Sequence, residues 1–211
     1  MPANRVLQNR ERYNRMARSY EALVRFGSFG QFERFYRAVA SEVTECPGGT
    51  ILDLGCGLGT LVPHLLPKVA PDGTLIGVDI ADQLVERARE TARLSGWRNV
   101  EFVRADVRDF SPLRLVDAVV FCLSLTTMPE PEACLERALS WLNPGGQLVV
   151  LDSFPQPSRP IARWVIHAKA PFVGAAPSER PLQLLLDRLD GVRMRHFHFG
   201  VYSLVSGRRR F

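Results

Sequence analysis

Ile51-Leu52-Asp53-Leu54-Gly55-Cys56-Gly57-Leu58-Gly59-Thr60 decides the fold. Its first four residues read as a buried strand, and three alternating glycines then turn the chain. Glycine is needed where the backbone takes positive φ or a ligand approaches closely. The residues that follow, Leu61 to Leu66, predict the start of a helix whose unpaired N–H groups and dipole face a bound molecule.

The spacing within this turn is informative. A dinucleotide fingerprint runs Gly-x-Gly-x-x-Gly, whereas here the glycines run Gly-x-Gly-x-Gly and position 60 is Thr. Asp53 stands two places before Gly55. A carboxylate there repels a pyrophosphate but suits a ligand carrying an ammonium group. A second strand, Thr74 to Asp79, ends in an acid 20 residues after Gly59. An acid at that strand end accepts hydrogen bonds from ribose hydroxyls. A third strand, Val100 to Arg104, leads to Ala105-Asp106-Val107, where Asp106 is placed to accept from an adenine amino group.

Together, Asp53-x-Gly55-x-Gly57-x-Gly59, Val78-Asp79, Ala105-Asp106 and Leu142-Asn143-Pro144-Gly145-Gly146 resemble the class I S-adenosylmethionine-dependent methyltransferases. The resemblance covers roughly residues 50–155, and a nucleotide-binding Rossmann domain for NAD is the alternative. It implies a single α/β Rossmann-like domain with a mostly parallel seven-stranded sheet, a C-terminal antiparallel strand and an N-terminal helical lid. Residues 1–45 would form the lid, 46–153 the cofactor-binding core, and 154–211 the acceptor-side cover and closing strands. The donor implied is S-adenosyl-L-methionine and the product S-adenosyl-L-homocysteine. By resemblance, Asp53, Gly55, Gly57 and Gly59 hold the methionine part. Asp79 with Ile80 holds the ribose, Asp106 with Val107 the adenine, and Phe121 also contacts the cofactor.

Composition fits one domain: 211 residues, 46% hydrophobic. No secretory signal is visible at the N-terminus and no apolar run is long enough to span a membrane. Four scattered cysteines, Cys46, Cys56, Cys122 and Cys134, lack metal or disulfide spacing, so no metal is expected and a reducing cytoplasm fits. The net charge of +5 is unevenly spread. Residues 1–37 carry eight Arg against three acids, residues 38–158 nine basic against sixteen acidic residues, and residues 159–211 ten against three. Basic flanks around an acidic centre read as surfaces for anionic lipid, nucleic acid or an acidic metabolite. The other reading is Arg-rich codon usage, since 25 of the 27 basic residues are Arg.

Residues 4–26 read as an amphipathic helix with an apolar stripe of Tyr13, Met16, Tyr20 and Leu23 flanked by arginines. Tyr13-x-x-Met16-Ala17-x-x-Tyr20 resembles the opening of small bacterial methyltransferases acting on quinones and lipids, and that resemblance puts Tyr20 near the donor and the reacting centre. Both tyrosines as plain core contacts is the alternative. A second helix, Gln31 to Val43, carries Phe32, Phe35 and Tyr36. This cluster partly resembles the menaquinone and ubiquinone C-methyltransferases, with Phe32 where that family tends to have His and Phe35 where it tends to have Trp. Farther on, the helix from Leu61 is expected to be interrupted by Pro63. Further helices are expected over Ala81 to Ser95 and Glu132 to Leu142, and further strands over Val116 to Ser124 and Gln147 to Ser153.

Transfer chemistry is expected at the end of the fourth strand, Phe121 to Met128, because open α/β sheets bind ligands at the carboxyl ends of their strands. The segment lacks the Asn/Asp-Pro-Pro-Tyr/Phe that enzymes methylating base amines carry, so DNA is not expected as a partner. Ser124-Leu125-Thr126-Thr127-Met128-Pro129 with Pro131-Glu132-Ala133 looks more like bacterial aminolipid N-methyltransferases. Six prolines punctuate residues 154–181 around a short helix, Ile161 to Ala170, which reads as an acceptor-side cover. His167 lies in that cover and is the histidine placed for catalysis. His196 and His198 are expected on one strand face, His64 in a structural role, and Gly207 to Phe211 as an exposed basic tail. The expected acceptor is a lipid amine, a quinol or another small molecule, with peripheral contact to an anionic membrane.

Overall fold

The computed structural model of the protein describes residues 31–210 together with Glu11. The expected helix over residues 4–26, with Tyr13 and Tyr20, therefore lies outside the described residues.

Helix α1, Gln31–Glu42, places Phe32, Phe35, Tyr36 and Val39 at helical spacing on its inner side. Strand β1, Thr50–Leu54, follows, then α2, Val62–Val69, and β2, Thr74–Asp79. Helix α3, Asp82–Leu94, leads to β3, Val100–Arg104, and β4, Val116–Cys122. Helix α4, Pro131–Trp141, precedes β5, Leu142–Asp152. Two more helices, α5 at Pro160–Val173 and α6 at Arg180–Arg188, precede β6, Leu189–Phe197, and β7, Tyr202–Arg209.

The seven strands form one sheet in the order β3-β2-β1-β4-β5-β7-β6. Every pairing from β3 to β5 is parallel, and β7 runs antiparallel to both neighbours. Strand order reverses between β1 and β4, so their carboxyl ends splay apart into a crevice. Side chains alternate between two cores, as the period of a strand requires. Ile51, Leu75, Val120 and Leu151 face α1, α2 and α3. Leu52, Val78, Phe121 and Val150 face α4 and α6. Because the central strands are buried on both faces, they read as continuous apolar runs.

Three expectations are corrected. Pro63 does not interrupt α2; it sits in the first turn, where a missing N–H costs nothing, and the helix continues through Pro67. Gly207 and Arg208 do not form an exposed tail, since they pair with Leu148 and Gln147 as part of β7. Nor do His196 and His198 share a strand face. His196 lies in β6, but His198 has φ 50 in the turn before β7, its ring edge-on to Phe35 and Tyr202.

Among the described residues, no helix is long and apolar enough to cross a membrane.

Candidate active site at the strand ends

A cleft opens at the carboxyl ends of β1, β2, β3 and β4. Gly55, Gly57, Asp79, Ile80, Asp106 and Val107 all line it, together with Cys122, Leu123, Ser124, Thr127, Met128 and Pro129.

The glycine turn is held by backbone and by carboxylate. Gly55 and Cys56 donate their N–H groups to the Val78 carbonyl at 2.7 and 3.2 Å. Gly57 N–H donates to Asp79 Oδ2 and Ala81 N–H to Asp79 Oδ1, each at 2.9 Å. At Gly55, φ is +75 and a Cβ would stand 2.4 Å from the Ser124 Cβ, so only glycine fits. Gly57 has φ +53, but a Cβ there would meet nothing within 4 Å, because the residue faces the cleft. Gly59 does not line the cleft; a Cβ there would press on the Phe102 ring at 2.7 Å.

Three carboxylates stand at successive strand ends in different states. Asp53 is buried, and its Oδ2 has no hydrogen-bond partner among the described residues. Burial, with the nearby Asp79 charge, pushes its carboxyl up to about 7. Asp79 is also pushed up by burial, against the N–H groups of Ala81, Gly57 and Ile80 that favour its charge. At Asp106 burial raises the pKa, but Arg108 outweighs it and holds the carboxyl below its ordinary value. Arg108 donates Nε to Oδ1 at 3.1 Å and a terminal nitrogen to Oδ2 at 2.9 Å, and its other terminal nitrogen reaches Glu130 at 2.7 Å.

A buried carboxylate oxygen without a partner costs stability. It fits a ligand whose own cation would sit against it. The cleft thus offers hydrogen-bond acceptors at β2 and an apolar slot by Val107, with the Asp53 carboxyl buried just behind its lining at β1. That donor set matches the ammonium, ribose and adenine of S-adenosylmethionine.

Comparison with known proteins agrees. Residues 46–169, more than half of the chain, match the sequence model of a family described as Methyltransferase domain. The chain belongs to the S-adenosylmethionine-dependent methyltransferases. Among this family, a demethylmenaquinone methyltransferase of Symbiobacterium thermophilum is 28% identical over 158 residues, covering 74% of this chain and 61% of that relative. This chain therefore spans about three fifths of that relative's length. A phosphatidylethanolamine N-methyltransferase of Cereibacter sphaeroides is 28% identical over 151 residues, covering 70% and 72% of the two chains. The N-methyltransferase NodS of Bradyrhizobium japonicum WM9, solved with S-adenosyl-l-homocysteine, superposes with a TM-score of 0.64 at 18% identity, over 86% of each chain. At that identity the likeness shows the fold.

Other expected site residues lie elsewhere in the methyltransferase. Phe121 is wholly buried in the core that faces α4, and its neighbour Cys122 lines the cleft instead. Strand alternation contains that signal: Val119 and Phe121 share one face and Cys122 the other. His167 is exposed on α5 and is not among the cleft-lining residues. The charged residue that helix turns inward is Lys169. Its Nζ donates to Ser153 Oγ at 2.7 Å and lies 3.9 Å from the Tyr202 ring centroid. Burial lowers the Lys169 ammonium to about 8, against the Asp152 charge that raises it. Asp152, buried at the end of β5, accepts from the Thr126 hydroxyl at 2.6 Å and the Thr126 N–H at 3.0 Å. Helix phase marks Lys169, three residues after the buried Ile166, as inward-facing. Leu123, which lines the cleft, at φ 58, and Glu130, next to the lining residue Pro129, at φ 54, hold the left-handed conformation. Such strain collects at functional sites.

Asp79→Ala is expected to weaken S-adenosyl-L-homocysteine binding about 100-fold, and Asp106→Ala less than about tenfold. Asp79 lines the cleft and each of its oxygens accepts a backbone N–H, from Gly57 or Ala81, which leaves acceptor capacity for a ribose, whereas Asp106 is already held by the Arg108 guanidinium. Calorimetry on both folded variants checks this, and equal losses would contradict it.

Proposed function

We propose that the protein transfers a methyl group to the amine of a membrane-lipid head group such as phosphatidylethanolamine. The observation that carries this reading is what lines the cleft beside the strand ends. Among the described lining residues, the groups that can take a proton are Asp79, Asp106 and Cys122. Asp79 is held by backbone N–H groups, Asp106 is held by Arg108, and burial pushes the Cys122 thiol well up. A carbon or neutral hydroxyl acceptor needs a general base, while a neutral amine needs chiefly alignment. The segment Ser124 to Pro129 that forms the acceptor end is also the stretch resembling aminolipid N-methyltransferases. The similarity to a phosphatidylethanolamine N-methyltransferase over 70% of the chain supports the same reading.

When bound, S-adenosylmethionine supplies a methyl group on a sulfonium. Asp53 would neutralise its ammonium, the glycine turn would fix its methionine arm, and Asp79 would hold its ribose. Leu123, Thr127 and Met128, which line the cleft, would exclude water and orient the acceptor nitrogen for in-line attack. The nitrogen gains the methyl, the carbon–sulfur bond breaks toward sulfur, and the product ammonium keeps or releases its proton to solvent.

A quinol acceptor is the second reading. Phe32 stacks on Tyr36 at 6.3 Å, and this half-buried pair, backed by the buried Phe35 that packs against Tyr202 at 4.9 Å, is suited to a planar ring. The similarity to a demethylmenaquinone methyltransferase points the same way. A diffusible small molecule and RNA are the other acceptors to be compared. Contact with an anionic membrane through the arginines of residues 4–26 completes the lipid reading.

Incubation with radiolabelled S-adenosylmethionine and vesicles containing phosphatidylethanolamine, a reduced demethylmenaquinone or RNA separates these readings. Label in N-methylated phosphatidylethanolamine is the expected result. Label in the quinone or RNA alone would overturn it.

A further inference from the structure

Helix α5 presents large apolar side chains outward. Ile161 is 77% exposed, Trp164 72% and Phe172 79%. They recur at helical spacing, while Ala162, Ile166 and Ala170 fill the buried side. At 1.5 Å per residue the outer stripe is about 17 Å long. The turn before β7 adds Phe199, 96% exposed. It belongs to the same surface, because the turn packs on the start of α5. A Cβ at Gly200 would stand 2.5 Å from the Arg159 Cδ, and Val201 is buried with Ala162 and Ile166.

Phe199 is not left outside by default. His198 and Phe199 both take left-handed backbone, with φ 50 and 58. That conformation is unfavourable for bulky residues and persists only where surrounding structure imposes it. The fold thus holds an aromatic ring in solvent, next to a helix that does the same with Trp164.

We infer that the outer face of α5, with Phe199, docks the protein on a bilayer containing anionic phospholipid. Charge selects this occupant. With Lys169 turned inward, α5 and its flanks, residues 159–180, still present Arg159, Arg163 and Arg180 against a single acid, Glu179, which pairs with Arg163 at 3.3 Å. Residues 159–211 carry ten basic and three acidic residues. A second copy would bring like charges together, whereas phosphate head groups complement them. The apolar residues stand on a convex helix, so they can enter the interface between head groups and acyl chains, where Trp and Phe settle. The surface also adjoins the acceptor end of the cleft. The chain leaving α5 returns there, Ala176 N–H donating to the Thr126 carbonyl at 3.0 Å. A site placed so could take its acceptor from the bilayer. Docking itself does not depend on the acceptor being a lipid.

The test uses full-length protein and vesicles of phosphatidylcholine and phosphatidylglycerol in equal parts, with bromine on the phosphatidylcholine chains. Tryptophan fluorescence should be quenched on mixing, and Trp164→Leu should remove most of the quenching. Trp164→Glu combined with Phe172→Glu should weaken co-sedimentation by roughly tenfold or more. Both positions are exposed, so folding should survive. Unchanged S-adenosyl-L-homocysteine binding verifies this independently of the methyl-transfer reading. Vesicle binding that the double variant leaves intact would overturn the inference, as would no binding at all. A light-scattering mass for two copies that the variant halves would assign the face to self-association instead. Shielding of Trp164 from acrylamide before vesicles are added would assign it to residues 1–30.

Discussion

Asp53→Asn is expected to stabilise the donor-free methyltransferase at pH 8 while reducing donor affinity by about 10- to 100-fold. Asp53 is 2% exposed, and its Oδ2 has no partner among the described residues. Burial first, and then the Asp79 charge, raise its carboxyl from 3.8 to about 7. A raised carboxyl means that the folded protein binds the extra proton. The stability associated with it is complete below the unfolded value of 3.8 and is lost as pH rises through 7. A shift of this size corresponds to a loss of roughly 4 kcal/mol at most. The amide cannot ionise and escapes that loss, but its NH₂ would be left unsatisfied at a cost of about 1–3 kcal/mol. The net gain at pH 8 is at most about 1–3 kcal/mol, which raises Tm by roughly 2–12 °C in a chain of this length. At pH 5 the gain should vanish. Donor binding moves the other way, since an amide cannot neutralise an ammonium. Thermal unfolding at both pH values, with calorimetry of S-adenosyl-L-homocysteine, checks both signs. A variant destabilised at pH 8 with full affinity would show that Asp53 is structural.

Gly55→Ala and Gly57→Ala should separate fold from site within one turn. Gly55→Ala adds left-handed strain of about 1–2 kcal/mol to an overlap with the Ser124 Cβ at 2.4 Å. Such an overlap costs about 1–3 kcal/mol. The protein should lose roughly 2–5 kcal/mol of stability, seen as a fall in Tm of about 5–15 °C. At Gly57 the strain remains, but a Cβ meets nothing within 4 Å. Stability should fall by only about 1–2 kcal/mol. Donor affinity should fall more than about tenfold, because the new methyl group enters the cleft. Equal Tm losses, or an unaltered affinity in Gly57→Ala, would contradict this division of roles.

Strands β2 and β3 are legible residue for residue, Thr74–Asp79 and Val100–Arg104, and β1 within one residue. Each is short, apolar and bounded by glycine, proline or a polar turn, so the signal is local. The elements misread depend on distant partners. Gly207 and Arg208 belong to a strand because β5 and β6 pair with them, and no nearby residue announces that. His198 left its expected strand because the chain must turn sharply to bring β7 back beside β6. Pro63 does carry a local signal, since proline at a helix start is favoured. At the site, Asp79, Asp106, Gly55 and Gly57 line one cleft, while Asp53 and Gly59 are not among its lining residues. The rest of the lining, from Cys122 to Pro129, was legible as a segment but not as individual side chains. Asp152 and Lys169 are not legible locally, because the Lys169–Ser153 bond that brings their charges near each other joins the end of β5 to a helix that composition alone marks only as a cover.

The central claim is that the strand-end carboxylates and the glycine turn bind S-adenosylmethionine rather than a dinucleotide. Calorimetric titration of the full-length protein with S-adenosyl-L-homocysteine and, separately, with NAD tests it most directly. The account predicts saturable binding of S-adenosyl-L-homocysteine, lost in Asp79→Ala, and no binding of NAD. Tight NAD binding with none of S-adenosyl-L-homocysteine would contradict it.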